Sequence, residues 1–533
     1  MATAPAPPAS ETKPARAVDD RTQGPGPNGP SSSARATTTL LTSPAGFALF
    51  AALAAFFVYL SRRPLWHTDL WGHLAYGRLI VGASAIPSSE PLMPLSEGMR
   101  FVDFSWLSEI LSYFTYEWRG APALQFLYAG SVTLCVALLA WGSLRKTGSV
   151  WAAATAAAIY VCVDWQQFSI VRPQLAGCVC FVLLFAVAIA PISRLADAVA
   201  VTTLFAAWAN LHGSFLIGLA TLAAFVCGRA GDLLRRTRSL RAVQDDRRMR
   251  GGIVLLILAG AAVMLNPYGW RVYQAAWQLS SNANLADLVE WQPLRLWMWQ
   301  GRAALALSLG LLGLYALTPR RISTTELLLL VGFGVAALRA SRMIVWWGPV
   351  AAYYASLHAA AIWKRWRRGG RSQLAALPWR VPPLLLLATV CAALAFTPLA
   401  REFLDRALSD PPGSFSAETP VGAAEFLKEY GPRGQIFNTL EWGDYLLWAG
   451  PPRLKVFVAS HVHLVPRAVW EDYIRIITLD EGWQKILERY RINTALVDDD
   501  QHAALADALR EDRAWTVAYE DPLGVVFVRR HAL

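Results

Sequence analysis

Three side chains near the start of the chain are spaced so that one face of a helix would carry acid–base groups. On a helix that begins at Asp69, the side chains of Asp69, His73 and Tyr76 point the same way. A carboxylate in that place can take a proton from a sugar or lipid hydroxyl, and it can also hold a divalent metal beside a phosphate. Asp69 could equally cap the helix by accepting a backbone N–H, and the two roles are compatible.

A second helical pattern, over residues 104–118, carries an acid opposite an apolar stripe. The stripe consists of Leu107, Ile110, Leu111, Phe114 and Trp118. A stripe of this kind lays a helix along a membrane surface. Glu109 lies on the other side, either as a solvated side chain or as a second acid or base, and we include it with Asp69 and His73 as a candidate catalytic residue.

Further polar residues stand at the outer ends of apolar stretches. They are Arg172, Asn210, His212, Glu290, Arg339 and Arg342. Polar groups at membrane depth are costly unless function or pairing supports them. A guanidinium there can clamp a lipid phosphate by bidentate hydrogen bonds, or it can extend to the interface. His212 and Glu290 fit either substrate binding or hydrogen bonds between helices. All except Asn210, together with Tyr76, are candidate substrate-binding residues.

The C-terminal part contains two more groups of polar residues. Trp442, Asp444 and Tyr445 lie between the first two predicted strands, where they would form the lip of an acceptor-binding surface or the capped opening of a helix. We place these three among the candidate substrate-binding residues. His461 and His463 alternate on one side after a strand, but the sequence offers no third ligand close by, so we do not expect a metal there.

Composition indicates what must position these residues. The chain is 55% hydrophobic and only 16% charged, whereas a soluble protein is about 25% charged, so a bilayer is the expected solvent. From Arg401 onward there are 15 basic and 21 acidic residues, against 34 and 17 before it. The basic residues stand between apolar runs, where they act as topology signals, and nucleic-acid binding is not expected. The six cysteines all lie inside apolar runs, which excludes a disulfide framework.

Apolar stretches predict a polytopic α-helical membrane protein of about eleven spanning helices. The stretches lie near residues 43–60, 121–142, 149–163, 174–191, 197–211, 214–228, 252–266, 303–318, 326–338, 343–362 and 382–398. Residues 1–42 read as a disordered cytoplasmic tail, because they are rich in proline and poor in apolar side chains. Residues 43–398 form the membrane domain, with two surface helices, 69–82 and 104–118, in the 61–120 loop.

The distribution of basic residues orients this domain. Alternate loops contain Arg145 and Lys146, Arg194, the segment 229–250, Arg320 and Arg321, and the segment 364–380. Because such loops stay in the cytoplasm, the N-terminus is predicted to be cytoplasmic and residues 399–533 extracytoplasmic. That last part alternates helices with short strands at 435–438, 455–459 and 494–498 and ends in a hairpin near 521–524. The pattern predicts a soluble α/β domain with a mainly parallel sheet that can be antiparallel at its edge.

Several short motifs, in their order along the chain, resemble a bacterial family of membrane proteins related to the GT-C glycosyltransferases. They occupy residues 67–80, 106–109, 172–174, 210–213, 266–269, 290–293 and 441–446. The wider superfamily includes oligosaccharyltransferase catalytic subunits, protein O-mannosyltransferases and aminoarabinose transferases. The resemblance implies that Asp69 is the catalytic or metal-binding acid, with Mg²⁺ or Mn²⁺ as the metal in the second case. It also implies that residues 442–445 are similar to the acceptor-recognition motif of oligosaccharyltransferases.

The resemblance implies a hexosyltransferase of GT-C type in the cytoplasmic membrane of a bacterium. Such an enzyme would move a sugar from a polyprenyl-phosphate donor to a glycan, lipid or protein acceptor at the outer face. Two alternatives remain open at this stage. A transporter or flippase of lipid-linked glycan would have inverted repeats and charges at the membrane midplane, and a non-catalytic envelope scaffold would have no cavity between the first outer loop and the soluble domain.

Overall fold

The computed structural model describes residues 42–189, 195–369, 381–405 and 413–530. The predicted tail up to residue 41, Arg194 and the basic residues 371–380 lie outside the described residues. Helices dominate the chain as far as residue 405. They are α1 (Pro44–Ser61), α2 (Leu70–Ala83), α3 (Trp106–Thr147), α4 (Val150–Phe168), α5 (Gln174–Ala188), α6 (Leu195–Leu211), α7 (Phe215–Thr237), α8 (Leu240–Gln244), α9 (Arg247–Val263), α10 (Arg271–Ser280), α11 (Trp299–Leu317), α12 (Thr324–Arg339), α13 (Ile344–Gly369), α14 (Pro383–Ala395) and α15 (Pro398–Asp405).

Four of the described helices, α1, α3, α7 and α11, are long and apolar enough to cross a membrane. Three shorter apolar helices are α5, α6 and α14. The predicted number of eleven spanning helices is therefore not confirmed. Several of the predicted stretches are too short for a full span: α5 has 15 residues and α6 has 17, against the roughly 20 that a bilayer requires.

Both predicted surface helices of the 61–120 loop are present as helices. The second is the first part of α3, which bends at Arg119 and Gly120, where the backbone is not helical and Gly120 has φ +60°. A φ of that sign is easily adopted only by glycine, so Gly120 turns the chain from the loop helix into the apolar part that follows. In the loop helix the apolar residues Leu111 and Phe114 are exposed, whereas Glu109 is fully buried. The polar side of this helix therefore faces the protein.

Residues 413–530 contain helices packed on a four-stranded sheet. Its elements are α16 (Val421–Tyr430), β1 (Gln435–Asn438), α17 (Leu440–Ala449), α18 (Arg467–Ile477), α19 (Trp483–Arg489), β2 (Ile492–Asp498), α20 (Ala503–Glu511), β3 (Trp515–Glu520) and β4 (Gly524–Arg529). The strand order is β1-β2-β4-β3, and only β1 and β2 are parallel. The prediction of a mainly parallel sheet was wrong.

One missing strand explains that error. Of residues 455–459, predicted as a strand, 456–459 are buried, but the segment joins no ladder. The side chain of Asn438 takes the place of a strand partner, since its Oδ1 accepts from the backbone N of Phe457 and its Nδ2 donates to the carbonyl O of Val458. With that strand gone, the β3–β4 hairpin, which must be antiparallel, supplies half of the sheet.

The C-terminal segment and the 61–120 loop share one hydrophobic core. Trp71 of α2 packs edge-on against Tyr445 of α17 and against Phe415, with ring centroids 5.2 Å apart in both cases. Arg78 of α2 donates to the carbonyl oxygens of Leu447 and Trp448. A separate core fills the helical part. The loop therefore packs directly on the C-terminal segment, and polar groups from both can meet.

Candidate active site

Asp69 lies at the start of α2, but its side chain does not cap that helix. Its backbone has φ +38° and ψ −55°, which is uncommon for a residue other than glycine, and no cap hydrogen bond comes from its carboxylate. Its backbone N instead donates to Oδ2 of Asp444 in α17, at 3.1 Å. A residue of the C-terminal segment thus holds Asp69 in a strained conformation that leaves its carboxylate available for other contacts.

The Asp69 carboxylate begins a row of alternating charges. Its Oδ2 lies 2.6 Å from Nε of Arg172, and Nη1 of Arg172 contacts Glu290. Glu290 in turn lies 3.0 Å from Nη1 of Arg342, whose guanidinium covers the ring of Trp291. The four charged side chains are between 19% and 30% exposed, so they are reachable from outside.

The charges in this row determine one another's protonation. Burial alone would raise the pKa of Glu290, but Arg342 and Arg172 outweigh it and lower that pKa to about 2. Burial alone would lower the pKa of Arg172, but the nearby carboxylates of Asp69 and Glu290 raise it above its usual value. Glu290 and Arg172 therefore both stay charged while they lie side by side. An arriving phosphate can compete with Glu290 for either arginine.

His73 and Glu109, which the sequence placed on two different helices, are in contact. Nδ1 of His73 lies 2.7 Å from Oε1 of Glu109, and the Glu109 side chain is fully buried. Asp103, just before α3, is buried against Glu109, and burial followed by the neighbouring Glu109 carboxyl raises its pKa well above the usual range. Burial also lowers the pKa of His73, although Asp69 and Asp444 oppose this.

His461 reaches this group from the C-terminal segment. Its ring lies 4.5 Å from the ring of Tyr76, 5.4 Å from that of His73 and 5.6 Å from that of His463. It is 9% exposed, and its Nδ1 has no hydrogen-bond partner among the described residues. One ligand atom each from His73, Glu109 and His461 lie within 4.8 Å of one another. Sequence spacing had offered no third ligand for His461, and the fold supplies two.

Asp444 joins the two halves of the site. It is 1% exposed, and its Oδ1 accepts from the backbone N and the Oγ of Ser460 while Oδ2 accepts from Asp69. Burial and the nearby charge of Asp69 raise the pKa of Asp444 to about 7. Gly72 permits this approach, because a Cβ there would lie 2.1 Å from Oδ1 of Asp444.

Other predicted site residues have different surroundings. Tyr76 is buried, its hydroxyl donates to Glu90, and its ring packs on that of His461. His212 is held by Ser214, 2.8 Å from its Nδ1. Trp442 is 1% exposed, and its Nε1 donates to the carbonyl O of Glu418. Two more predicted residues complete the list: Tyr445 is buried against Trp71, and Arg339 is exposed and forms no ion pair with the described residues.

Two acids of the site were not singled out from the sequence. Asp103 has the position of a residue that begins a helix, and its Oδ1 accepts a hydrogen bond from the backbone N of Ser105. Glu90 sits in an irregular stretch, where it binds Tyr76 and the backbone N of Leu92 and Met93. One feature of the sequence could have indicated them: the 61–120 loop is rich in acidic residues. Asp69, Glu90, Asp103 and Glu109 all belong to it.

A cavity of about 680 Å³ lies at the other end of the helical part. Helix α7 connects the two ends: it begins next to Leu211, whose carbonyl O accepts from Ser108, and it contributes Arg229 to the cavity wall. Its 23 residues extend about 35 Å at the usual rise of an α-helix. Lys146, Arg229, Arg236, Arg248 and Arg320 give the wall a basic character, with Asp232 as its one acid.

No protein-family model and no curated protein matches the sequence. Solved structures do match the fold. Archaeal oligosaccharyltransferase AglB from Archaeoglobus fulgidus, in complex with an inhibitory peptide and a dolichol-phosphate, has a TM-score of 0.57 at 11% identity, over 86% of this chain and 70% of that one. The same enzyme tethered with an acceptor peptide gives a TM-score of 0.52 at 12% identity, over 85% and 69%.

ArnT from Cupriavidus metallidurans bound to undecaprenyl phosphate has a TM-score of 0.47 at 15% identity, over 90% of this chain and 97% of that one, and this score is too low to support a conclusion. At 11% and 12% identity, the AglB comparisons show the fold alone. The resemblance to GT-C glycosyltransferases is thereby confirmed at the level of the fold, which this chain shares with archaeal oligosaccharyltransferase.

Proposed function

We propose that this protein is a membrane glycosyltransferase that moves a sugar from a polyprenyl-phosphate donor to an acceptor of the cell envelope, at the outer face of the cytoplasmic membrane. The observation that carries the proposal is the position of Asp69. Its carboxylate is partly exposed, is paired with an arginine, and stands where the outer loop, the helical part and the C-terminal segment meet. The fold shared with an oligosaccharyltransferase makes sugar transfer the natural chemistry for such a carboxylate.

Asp69 acts as the general base of an inverting transfer. It takes the proton of the acceptor group as the acceptor atom forms a bond to the anomeric carbon of the sugar. The bond between that carbon and the phosphate oxygen breaks, and its electron pair leaves with the polyprenyl phosphate. His73, held by Glu109 at 2.7 Å, assists from the next turn of α2. The protein contributes mainly by positioning the two substrates and by stabilising charge.

Arg172 and Arg342 hold the phosphate that departs. In the absence of a substrate, Glu290 lies between them and neutralises both. A phosphate has more charge and more acceptor oxygens than a carboxylate, so it can replace Glu290 at one arginine while Glu290 keeps the other. Arg339, which is exposed, is a further basic residue for the lipid phosphate, and His212 completes the outer rim of the site.

The C-terminal segment positions the acceptor. Asp444 fixes the backbone of Asp69, and Tyr445 packs on Trp71 directly behind it. Any acceptor bound by this segment therefore arrives at the side of the base. The Asp69 carboxylate is paired with Arg172, and the carboxylate of the neighbouring Asp444 is already bonded to Ser460 and to the backbone N of Asp69, so Asp69 is poorly suited to a metal, and no step of the transfer is assigned to one.

A strain that lacks this protein tests the proposal. Mass spectrometry of its lipid-linked sugars and envelope glycans should show an accumulated polyprenyl-phosphate sugar and a glycan that lacks that sugar. Wild-type protein should restore the glycan, whereas Asp69→Asn should not. Asp480→Asn is the matched control, because Asp480 is an exposed residue of the C-terminal segment, away from the site.

The comparison requires that each variant is present in the membrane in the same amount as wild type. Each variant must also unfold at the same temperature as wild type. If Asp69→Asn restores the glycan as well as wild type does, Asp69 is not the base. If the deletion changes no lipid-linked sugar and no glycan, the transfer itself is excluded.

A further inference from the structure

The buried group of His73, Glu109 and His461 has the composition of a metal site. Each residue comes from a different element: His73 from α2, Glu109 from α3, and His461 from the loop after residues 455–459. Their ligand atoms lie within 4.8 Å of one another. Two imidazoles and one carboxylate are the ligands of many zinc enzymes and of other divalent transition metals, whereas Mg²⁺ prefers oxygen ligands and water.

His461 gives an independent reason to look for a ligand. Its side chain is 9% exposed, yet Nδ1 has no hydrogen-bond partner among the described residues. A buried polar atom without a partner is uncommon and costly in a folded protein. The rings of Tyr76, Phe101 and His463 pack around His461 and fix its orientation. The imidazole is therefore held in place beside His73 and Glu109 without a protein group to bind.

The surroundings suit a cation. The carboxylates of Asp69 and Asp444 lie close enough to favour a positive charge at His73, and Arg172 is the opposing positive group. Asp103 is buried against Glu109 and would orient it, as carboxylates behind metal ligands commonly do. Ligands of a tetrahedral zinc ion lie about 3.4 Å apart, so a bound ion would draw His461 slightly toward the other two.

The geometry points to a divalent transition-metal site of zinc type, formed by His73, Glu109 and His461, that fastens the C-terminal segment to the outer loop. Because two ligands belong to the loop and one to the C-terminal segment, the ion fixes the distance between Asp69 and the segment that holds it. This inference goes beyond sugar transfer and does not require it, since the ion here is a positioning element.

The test uses the full chain, purified in lipid nanodiscs, treated with a chelator and then dialysed against zinc chloride. Elemental mass spectrometry should find about one zinc per chain, and zinc should raise the midpoint of thermal unfolding. His461→Ala should lower the affinity for zinc at least tenfold and abolish the thermal shift. His463→Ala is the matched control, because it removes an imidazole whose ring lies 5.6 Å from that of His461 but is not one of the three ligands.

A cobalt titration adds a signature that unfolding cannot imitate. Cobalt in a site with nitrogen ligands and low coordination number absorbs visible light, and the bands should appear in wild type and in His463→Ala but not in His461→Ala. His73→Gln should lose the same bands. This second variant tests the site if His461→Ala does not fold. Wild-type protein that binds no zinc, or equal binding by His461→Ala and His463→Ala, overturns the inference. Neither measurement involves a sugar donor, so failure here leaves the proposed transfer untouched.

Discussion

Among the described residues, two histidines lie against fully buried glutamates, one near each end of the helical part. At the site, Nδ1 of His73 lies 2.7 Å from Glu109. At the other end, Nε2 of His358 in α13 lies 2.7 Å from Glu326 in α12. Both glutamates have no exposed side-chain surface. Distance and carboxylate burial therefore do not distinguish the two pairs.

The remaining atoms of the two histidines do distinguish them. His358 is fully buried, and its other nitrogen lies 2.9 Å from Oγ1 of Thr318, while Tyr315 also donates to Glu326. His73 is 16% exposed, and its second nitrogen has no hydrogen bond to any described residue. Both ring nitrogens of His358 are bonded to side chains of the protein, as is usual for buried polar groups with a structural role. At the site, the second ring nitrogen of His73 is available to bind a ligand.

Replacing each histidine by alanine gives the largest expected contrast. His73→Ala should lower the rate of sugar transfer about 100-fold or more, because general acid–base groups contribute on that scale. His358→Ala should instead leave Glu326 with Tyr315 but without the imidazole, and it should reduce the free energy of unfolding by about 1–3 kcal/mol. The measurements are transfer per folded molecule and thermal unfolding in nanodiscs. A loss of transfer in His358→Ala at full folding would remove the contrast.

The next prediction concerns pH and belongs to the site end alone. Burial and Asp69 raise the pKa of Asp444 to about 7, against about 3.9 in an unfolded chain. Between these values the folded protein keeps a proton that the unfolded chain releases. The contribution of Asp444 to stability is therefore complete below about pH 4 and is lost as the pH rises to about 7, by up to about 4 kcal/mol.

Unfolding of wild type and Asp444→Asn, followed from pH 4 to 8, isolates this contribution. The difference in stability between the two proteins should move in favour of Asp444→Asn as the pH rises, and it should level off above the folded pKa. Asp480→Asn, an exposed acid of the same segment, should follow wild type throughout. A constant difference between wild type and Asp444→Asn across this range would contradict the raised pKa.

Local patterns in the sequence predicted the helices of the outer loop, Glu109 as a partner of the site, and the strand at 435–438. Those features depend on neighbours within a few turns, where periodicity is informative. The sequence did not predict that His461 meets His73, because nothing local connects α2 with the loop after residues 455–459. Arg172 and Glu290 were both selected, but their contact joins two separate outer loops, and spacing alone carries no signal for it.

The missing strand shows a second limit. Residues 456–459 have the apolar composition of a buried strand, and they are buried. Their backbone hydrogen bonds go to one side chain, Asn438, whose amide both accepts and donates. A pattern of apolar residues reports burial, but it does not report which group satisfies the backbone. The predicted parallel sheet failed for that reason.

Two glycines provide a smaller test of the same contrast between ends. A Cβ at Gly72 would lie 2.1 Å from Oδ1 of Asp444, and one at Gly228 would lie 2.5 Å from the backbone of Thr325. Each change to alanine should cost about 1–3 kcal/mol, since the neighbours must move apart. Gly72→Ala should also lower transfer, because Asp444 holds Asp69, whereas Gly228→Ala should lower stability alone. Equal transfer by the two variants at equal folding would count against the role of Asp444.

The smallest expected effect comes from glycines in open space. Gly82, near the end of α2, is exposed and has nothing within 4 Å of an added Cβ, so Gly82→Ala should stabilise by about 0.5 kcal/mol through helix propensity. Gly98 is equally open but has φ +81°, so Gly98→Ala should destabilise by about 1 kcal/mol. Thermal unfolding of the two variants separates backbone conformation from packing. If both shift in the same direction, the loss at Gly72→Ala cannot be assigned to its contact with Asp444.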